Sequence, residues 1–234
     1  MTTHLDPSGV TAPEHAVHRP AGRPVAAALL VTGLLGTAGE RTLTVWHPLL
    51  DADGRFPYDR LVEIRTTWWA MHFFGGVAVV LLSVAVGACG VVLCRDRGRV
   101  WAAMTAVLLT LGGALFSAGL AAEGASMAYG AATGIAGQQV VDHIFTSPGW
   151  YLAGIGPGGA LQALGTVTLC VALWRARAVP RWFVGVLLVG LVVGAVWPFG
   201  LLAAIASTTL TSVPFLALLV LAARRLASAR PDAG

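Results

Sequence analysis

Glu123 is the only carboxylate in LFSAGLAAEGASMAYGAATG (115–134), a stretch otherwise almost wholly apolar or small. An ionisable side chain in such a setting is costly unless it reaches water or a partner. Three chemistries fit it: an interfacial carboxylate that reaches water or pairs with Arg41 or Arg65, a relay for protons or cations, or a general acid or base. His72, which follows RTTWWAM (65–71), and the adjacent Asp142 and His143 of GIAGQQVVDHIFTSPGW (134–150) are the groups that would assist it. Glu123, Asp142, His143 and His72 are therefore the candidate catalytic set.

A second set would hold a ligand rather than transform it. In WYLAGIGPGGALQALG (150–165), Pro157 removes a backbone donor and clashes with the preceding turn, while Gly154, Gly156, Gly158 and Gly159 loosen the helix further. The expectation is either a simple kink packed by glycines or a break whose freed carbonyls line a cavity. Gln162 is the deepest strongly polar side chain on that run, and Glu40 ends the first apolar run. Trp68 and Trp69 read as interfacial anchors. Glu40, Gln162, Pro157, Trp68 and Trp69 make up the candidate ligand-binding set. STTLTSVP (207–214) puts Ser207, Thr208, Thr211 and Ser212 at helical spacing, where they are expected to hydrogen-bond backbone around Pro214.

Other chemistries find less support. His47, His72, His143, Glu40, Glu123 and Asp142 are residue types that bind zinc or iron, but no H-x-x-x-H spacing links them, so a metal would need convergence in the fold. DADGR (51–55) lacks the third acidic position and the closing Glu of a calcium loop and reads as a solvated turn. GIGPGG (154–159) follows no strand and is no phosphate loop. Neither a serine-nucleophile motif nor an aspartate-rich diphosphate motif is present, and no cofactor is implied. Cys89, Cys94 and Cys170 lack C-x-x-C spacing and read as reduced, buried small hydrophobes.

The elements that must position these groups are membrane helices. With 56 % hydrophobic residues, 11 % charged residues and a mean hydropathy of +0.76, the 234-residue chain has too little charge to clothe a soluble globule. A bilayer core of about 30 Å needs about 20 helical residues. Six runs meet or nearly meet that length: 24–41, 68–94, 100–123, 150–174, 182–200 and 203–223. All 15 basic residues are arginine. With abundant Ala, Gly and Val, that is the bias of a GC-rich bacterial genome, as in an actinobacterium. The arginines cluster between apolar runs, which makes them topology signals rather than a nucleic-acid surface.

Arg19 and Arg23 precede the first run, Arg95, Arg97 and Arg99 join the second to the third, Arg175, Arg177 and Arg181 join the fourth to the fifth, and Arg224, Arg225 and Arg230 follow the sixth. By the positive-inside rule both termini are cytoplasmic in a bacterial plasma membrane. The first connection, 42–67, is the exception, with Arg55, Arg60 and Arg65 offset by Asp51, Asp53, Asp59 and Glu63. The expected organisation is a disordered cytoplasmic tail (1–23), a six-helix transmembrane domain (24–225) and a second tail (226–234). Glu123 then emerges near the external face, and the connection 124–149 lies in the interface. Gly130/Gly134, Gly154/Gly158 and Gly190/Gly194 permit close helix approach.

LWRARAVPRWFVGVLLVG (173–190) resembles a junction, L-Y-R-S-R-L-V-P-R-W followed by a glycine-bearing helix, of an uncharacterised family of bacterial six-span membrane proteins. Arg175, Arg177, Val179, Pro180, Arg181 and Trp182 carry the likeness. The resemblance implies the six-span fold, and no activity comes with it. The leading expectation is a binding or accessory component with a polar cavity open toward the outer leaflet. The alternatives are a membrane enzyme protonating an isoprenoid or lipid through Glu123, and a small exporter or immunity protein. The bilayer, and a lipid or isoprenoid small molecule, are the expected partners.

Overall fold

The computed structural model describes residues 22–46, 58–132, 137–146, 149–196 and 201–228. Residues 1–21 of the expected tail, His47 and DADGR (51–55) lie outside them, while Gly22 and Arg23 already belong to the first helix. Among the described residues the chain is entirely helical: α1 (Gly22–Trp46), α2 (Tyr58–Leu93), α3 (Arg99–Ala132), α4 (Gly137–Thr146), α5 (Gly149–Ala176), α6 (Arg181–Val196) and α7 (Leu201–Ser228). Helices α1, α2, α3, α5 and α7 are long and apolar enough to cross a membrane, so this is a multi-pass membrane protein. The fifth expected span, 182–200, is the shorter α6, whose 16 residues reach about 24 Å.

Helix α2 packs between α1 and α3, α5 covers the other side of α3, α7 lies against α1 and α2, and α6 joins α7 to α5. Glycines set the approach. A Cβ on Gly36 would fall 2.8 Å from Leu82 Cα, one on Gly87 2.9 Å from Ala106 Cα, and one on Gly158 2.8 Å from Phe116 Cα. With no hydrophobic force between helices in lipid, such close backbone packing supplies the dispersion energy that holds them.

Two boundaries move from their expected places, for related reasons. Helix α2 starts at Tyr58 rather than near 68, because Leu61, Ile64 and Trp68 recur at i, i+3 and i+7 and turn inward while Asp59, Arg60, Glu63 and Arg65 stay exposed. Helix α3 does not stop at Glu123 but continues to Ala132. A charge ends an apolar run but not a helix, and GASMAYGAA (124–132) contains no proline. At 1.5 Å per residue α2 and α3 are about 50 Å long, roughly 20 Å more than a bilayer core. At the C-terminus, α7 runs three residues into the expected tail.

The ends are chemically unlike. Gly22 touches Leu226, Gly98 touches Ala172, and Arg225 Nη1 donates to the Leu93 carbonyl at 2.9 Å. The start of α1, the end of α7 and both arginine-bearing turns therefore share one end of the bundle. Above it lies the main core, which includes Leu29, Val86, Leu169, Leu173, Leu187 and Leu218. All three cysteines are buried there without disulfides. A second, smaller core of Leu61, Trp68, Met127, Ala131 and Val141 lies at the opposite end, under α4.

Candidate functional site

Helix register places the candidate groups by depth. Helices α2 and α3 run antiparallel, with Gly76 against Ser117 and Gly124 against His72, where a Cβ on Gly124 would lie 2.6 Å from His72 Cβ. His72 and Glu123 are thus at the same level. Measured from Arg99, Glu123 is about 36 Å up α3, slightly more than the thickness of a bilayer core of about 30 Å. Residues 58–68 of α2, 124–132 of α3 and α4 then form a small apolar cap beyond it.

His72 is fully buried. Its ring stacks on Trp68 at 4.2 Å with an interplanar angle of 30°, and Trp46 stands 6.2 Å from Trp68 on the other side. Nδ1 lies 2.8 Å from the Trp68 carbonyl. A carbonyl oxygen only accepts, so Nδ1 carries the proton in this bond. The expectation that Trp68 and Trp69 both anchor the interface is corrected for the first of them. Successive helical residues point about 100° apart, so Trp68 turns into the cap's core at 1 % exposure while Trp69 stays outside at 43 %, stacked on Phe73 at 5.6 Å.

Glu123 is half-buried. It shares a face of α3 with Gly112, Phe116, Gly119 and Gly130 by helical spacing. Gly112, Phe116 and Gly119 meet α5, and Gly130 meets Val141 and Val140 of α4. Gly119 lies against Gly154, so Glu123, one turn further on, stands opposite the first turn of α5. It therefore lies on the face of α3 that meets α5 below it and α4 above it. Among the described residues no hydrogen bond or ion pair reaches it, and the expected pairing with Arg41 or Arg65 is not made.

The other candidates are dispersed. Asp142 and His143 are on the exposed side of α4, whose buried residue is Val141. Gln162 packs along Gly112, where a Cβ would lie 3.0 Å from its Cγ; Gly112 is 11 residues from Glu123, about 17 Å along α3. Pro157 is exposed and α5 runs through it uninterrupted, so the broken helix does not form. Among the described residues no three His, Cys, Asp or Glu side chains come together in a metal-binding group.

Glu40 belongs to a separate polar contact. Arg41 Nε is 3.6 Å from Glu40 Oε2, and the Arg41 guanidinium donates to Ser212 Oγ of α7. Ser212 therefore serves a charged side chain of α1, not only backbone near Pro214. The side chains of Ser207 and Thr208 lie outside the described residues. A further polar contact, Thr105 Oγ1 to Thr168 Oγ1 at 3.0 Å, ties α3 to α5 near the arginine end.

Sequence reasoning missed Trp46 and Gly124 as parts of this region. Gly124 carried a local signal, an isolated glycine in the middle of an Ala-rich helical run. Trp46 carried none, since its partner Trp68 is 22 residues away in the chain. No protein-family model, curated protein or solved structure matches this chain.

Proposed function

We propose that the chain is a six-span protein of a bacterial plasma membrane, with both termini cytoplasmic, that acts as a binding or accessory component through a site around Glu123 at the external end. The single observation that carries the reading is the position of Glu123: a half-buried carboxylate on the face of α3 turned toward α5 and α4, without an ion pair among the described residues. An ionisable residue costs more the deeper it lies in the hydrocarbon, and one half-buried in protein at its margin gains from a compensating partner. A ligand carrying a cationic or hydrogen-bond-donating group beside an apolar body would be such a partner, and Tyr129, Trp69 and Phe73 offer exposed aromatic surface on the same end of the bundle.

Six spans require α6 to cross as well. The R-x-R-x-V-P-R-W junction before it supports that, as does the even number of crossings that brings both ends of the bundle's chain to the arginine end. Binding is preferred to the membrane-enzyme reading because, His72 apart, the assisting groups disperse. Asp142 and His143 face outward on α4, and Gln162 is about three turns deeper than Glu123.

The test compares lipid and metabolite profiles of a deletion strain complemented with wild type or with Glu123→Gln. The binding reading expects no precursor to accumulate, and it expects Glu123→Gln to fail wherever wild type restores the phenotype. A product that vanishes while its precursor builds up would instead establish catalysis, and equal rescue by both genes would remove Glu123 from the site.

A further inference from the structure

The arginine end presents a second, independent arrangement. Helix α5 closes with the Arg177 amide donating to the Trp174 carbonyl and the Ala178 amide to the Leu173 carbonyl, both at 3.2 Å, with Arg177 at φ +52°. These are the paired bonds of a Schellman turn, whose left-handed position is ordinarily glycine. A side chain there strains the backbone, yet this position holds an arginine, exposed to solvent. Ala178, Val179, Phe183 and Val184 pack into the main core beneath it, and Pro180 fixes the approach to α6. The turn is therefore rigid.

The α2–α3 turn is pressed against the same place. Gly98, at φ +91°, sits so close to Ala172 that a Cβ would fall 2.7 Å from the Ala172 carbonyl oxygen. This brings Arg97 and Arg99 beside the end of α5, where Arg175 and Arg177 stand. Arg95, Arg97, Arg99, Arg175, Arg177 and Arg181 are all exposed, Asp96 is the one acid in either turn, and no ion pair ties these arginines to a carboxylate among the described residues. Trp174 (52 % exposed) and Trp182 (68 %) flank the cluster, with the Arg181 guanidinium 5.1 Å above the Trp174 ring. Exposed tryptophans mark the headgroup level of a bilayer, and arginine forks match phosphate oxygens.

We infer that the α5–α6 and α2–α3 turns together form a preorganised site for the phosphodiester headgroup of an anionic membrane lipid. The lipid, rather than a soluble phosphate, is the occupant because the cluster is framed by exposed tryptophans at the end of membrane-length helices. Arg177 supplies a guanidinium at this site at the expense of local backbone stability.

The test uses the full-length protein in phosphatidylcholine nanodiscs with and without phosphatidylglycerol, following the thermal midpoint and the number of lipids retained on extraction. Wild type is expected to gain stability from phosphatidylglycerol and to gain none from inorganic pyrophosphate added to phosphatidylcholine discs. Arg177→Gly should raise the midpoint in pure phosphatidylcholine, since glycine relaxes the turn, and should shrink the phosphatidylglycerol increment. Lipid affinity is expected to fall roughly fivefold for each arginine removed, so R175Q/R177Q/R181Q should abolish the increment while Arg65→Gln, at the opposite end, keeps it. Opposite shifts in one variant separate headgroup binding from a structural role, and Arg177→Gly retains its backbone conformation even if the triple variant unfolds. An undiminished increment in Arg177→Gly, or an equal response to pyrophosphate, overturns the proposal.

Discussion

Gly124 and Gly156 are both helical glycines, and their surroundings give them opposite expected behaviour. A Cβ at Gly124 would fall 2.6 Å from His72 Cβ, whereas one at Gly156 meets nothing within 4 Å. Gly124→Ala should therefore push α2 and α3 apart or displace the His72–Trp68 stack, costing about 1–3 kcal/mol as overpacking does. Gly156→Ala should be neutral or stabilise by up to ~1 kcal/mol through helix propensity alone. Thermal unfolding of the two variants in one detergent measures both, and tryptophan emission should shift only in the first. Equal effects would mean that Gly124 is not a contact point. Which glycine mattered could not be read from the chain, because with 29 of them spacing alone does not tell a helix contact from a lipid-facing position.

At the scale of the element, α5 tests how proline is accommodated. Pro157 lies inside a continuous helix, on its exposed side, so it lacks one backbone bond and gains no compensating packing. Pro157→Ala should raise the unfolding midpoint, with relief of up to roughly 3 kcal/mol, and should leave any Glu123-dependent phenotype intact. Loss of that phenotype with a stabilised helix would show that the distortion itself is used. Helix lengths also belong to this scale. The apolar runs located the middles of the helices well, but their outer ends in α2 and α3 follow amphipathic periodicity. The switch from all-round apolar to one-sided apolar at Trp68 was visible in DRLVEIRTTWW (59–69), where a hydropathy cutoff ended the span too early.

The bundle is polarised, with the arginine-bearing turns at one end and Glu123, Asp142, His72 and His143 toward the other. If the bundle crosses the membrane in the proposed sense, a membrane-impermeant maleimide should label Asp142→Cys in intact cells and Arg97→Cys only after permeabilisation. The native cysteines should stay silent in both conditions, since Cys89, Cys94 and Cys170 are buried in the main core. Labelling of both substituted positions from the same side would break the proposed topology, and labelling in the reverse sense would invert it.

Composition and run length by themselves determined a helical chain with several helices long and apolar enough to cross a membrane, and roughly where those helices lie. These properties sum over many residues, and each residue acts through its own solvation. Only the tertiary structure decided that Trp68 turns inward while Trp69 does not, that Arg41 is held by Ser212 of α7, that α3 outlasts Glu123, and that Gln162 and Asp142 lie away from it. Those outcomes depend on which helix faces meet and at what register, and that is set by close backbone contact between segments far apart in the chain, such as Gly119 with Gly154 and Gly124 with His72.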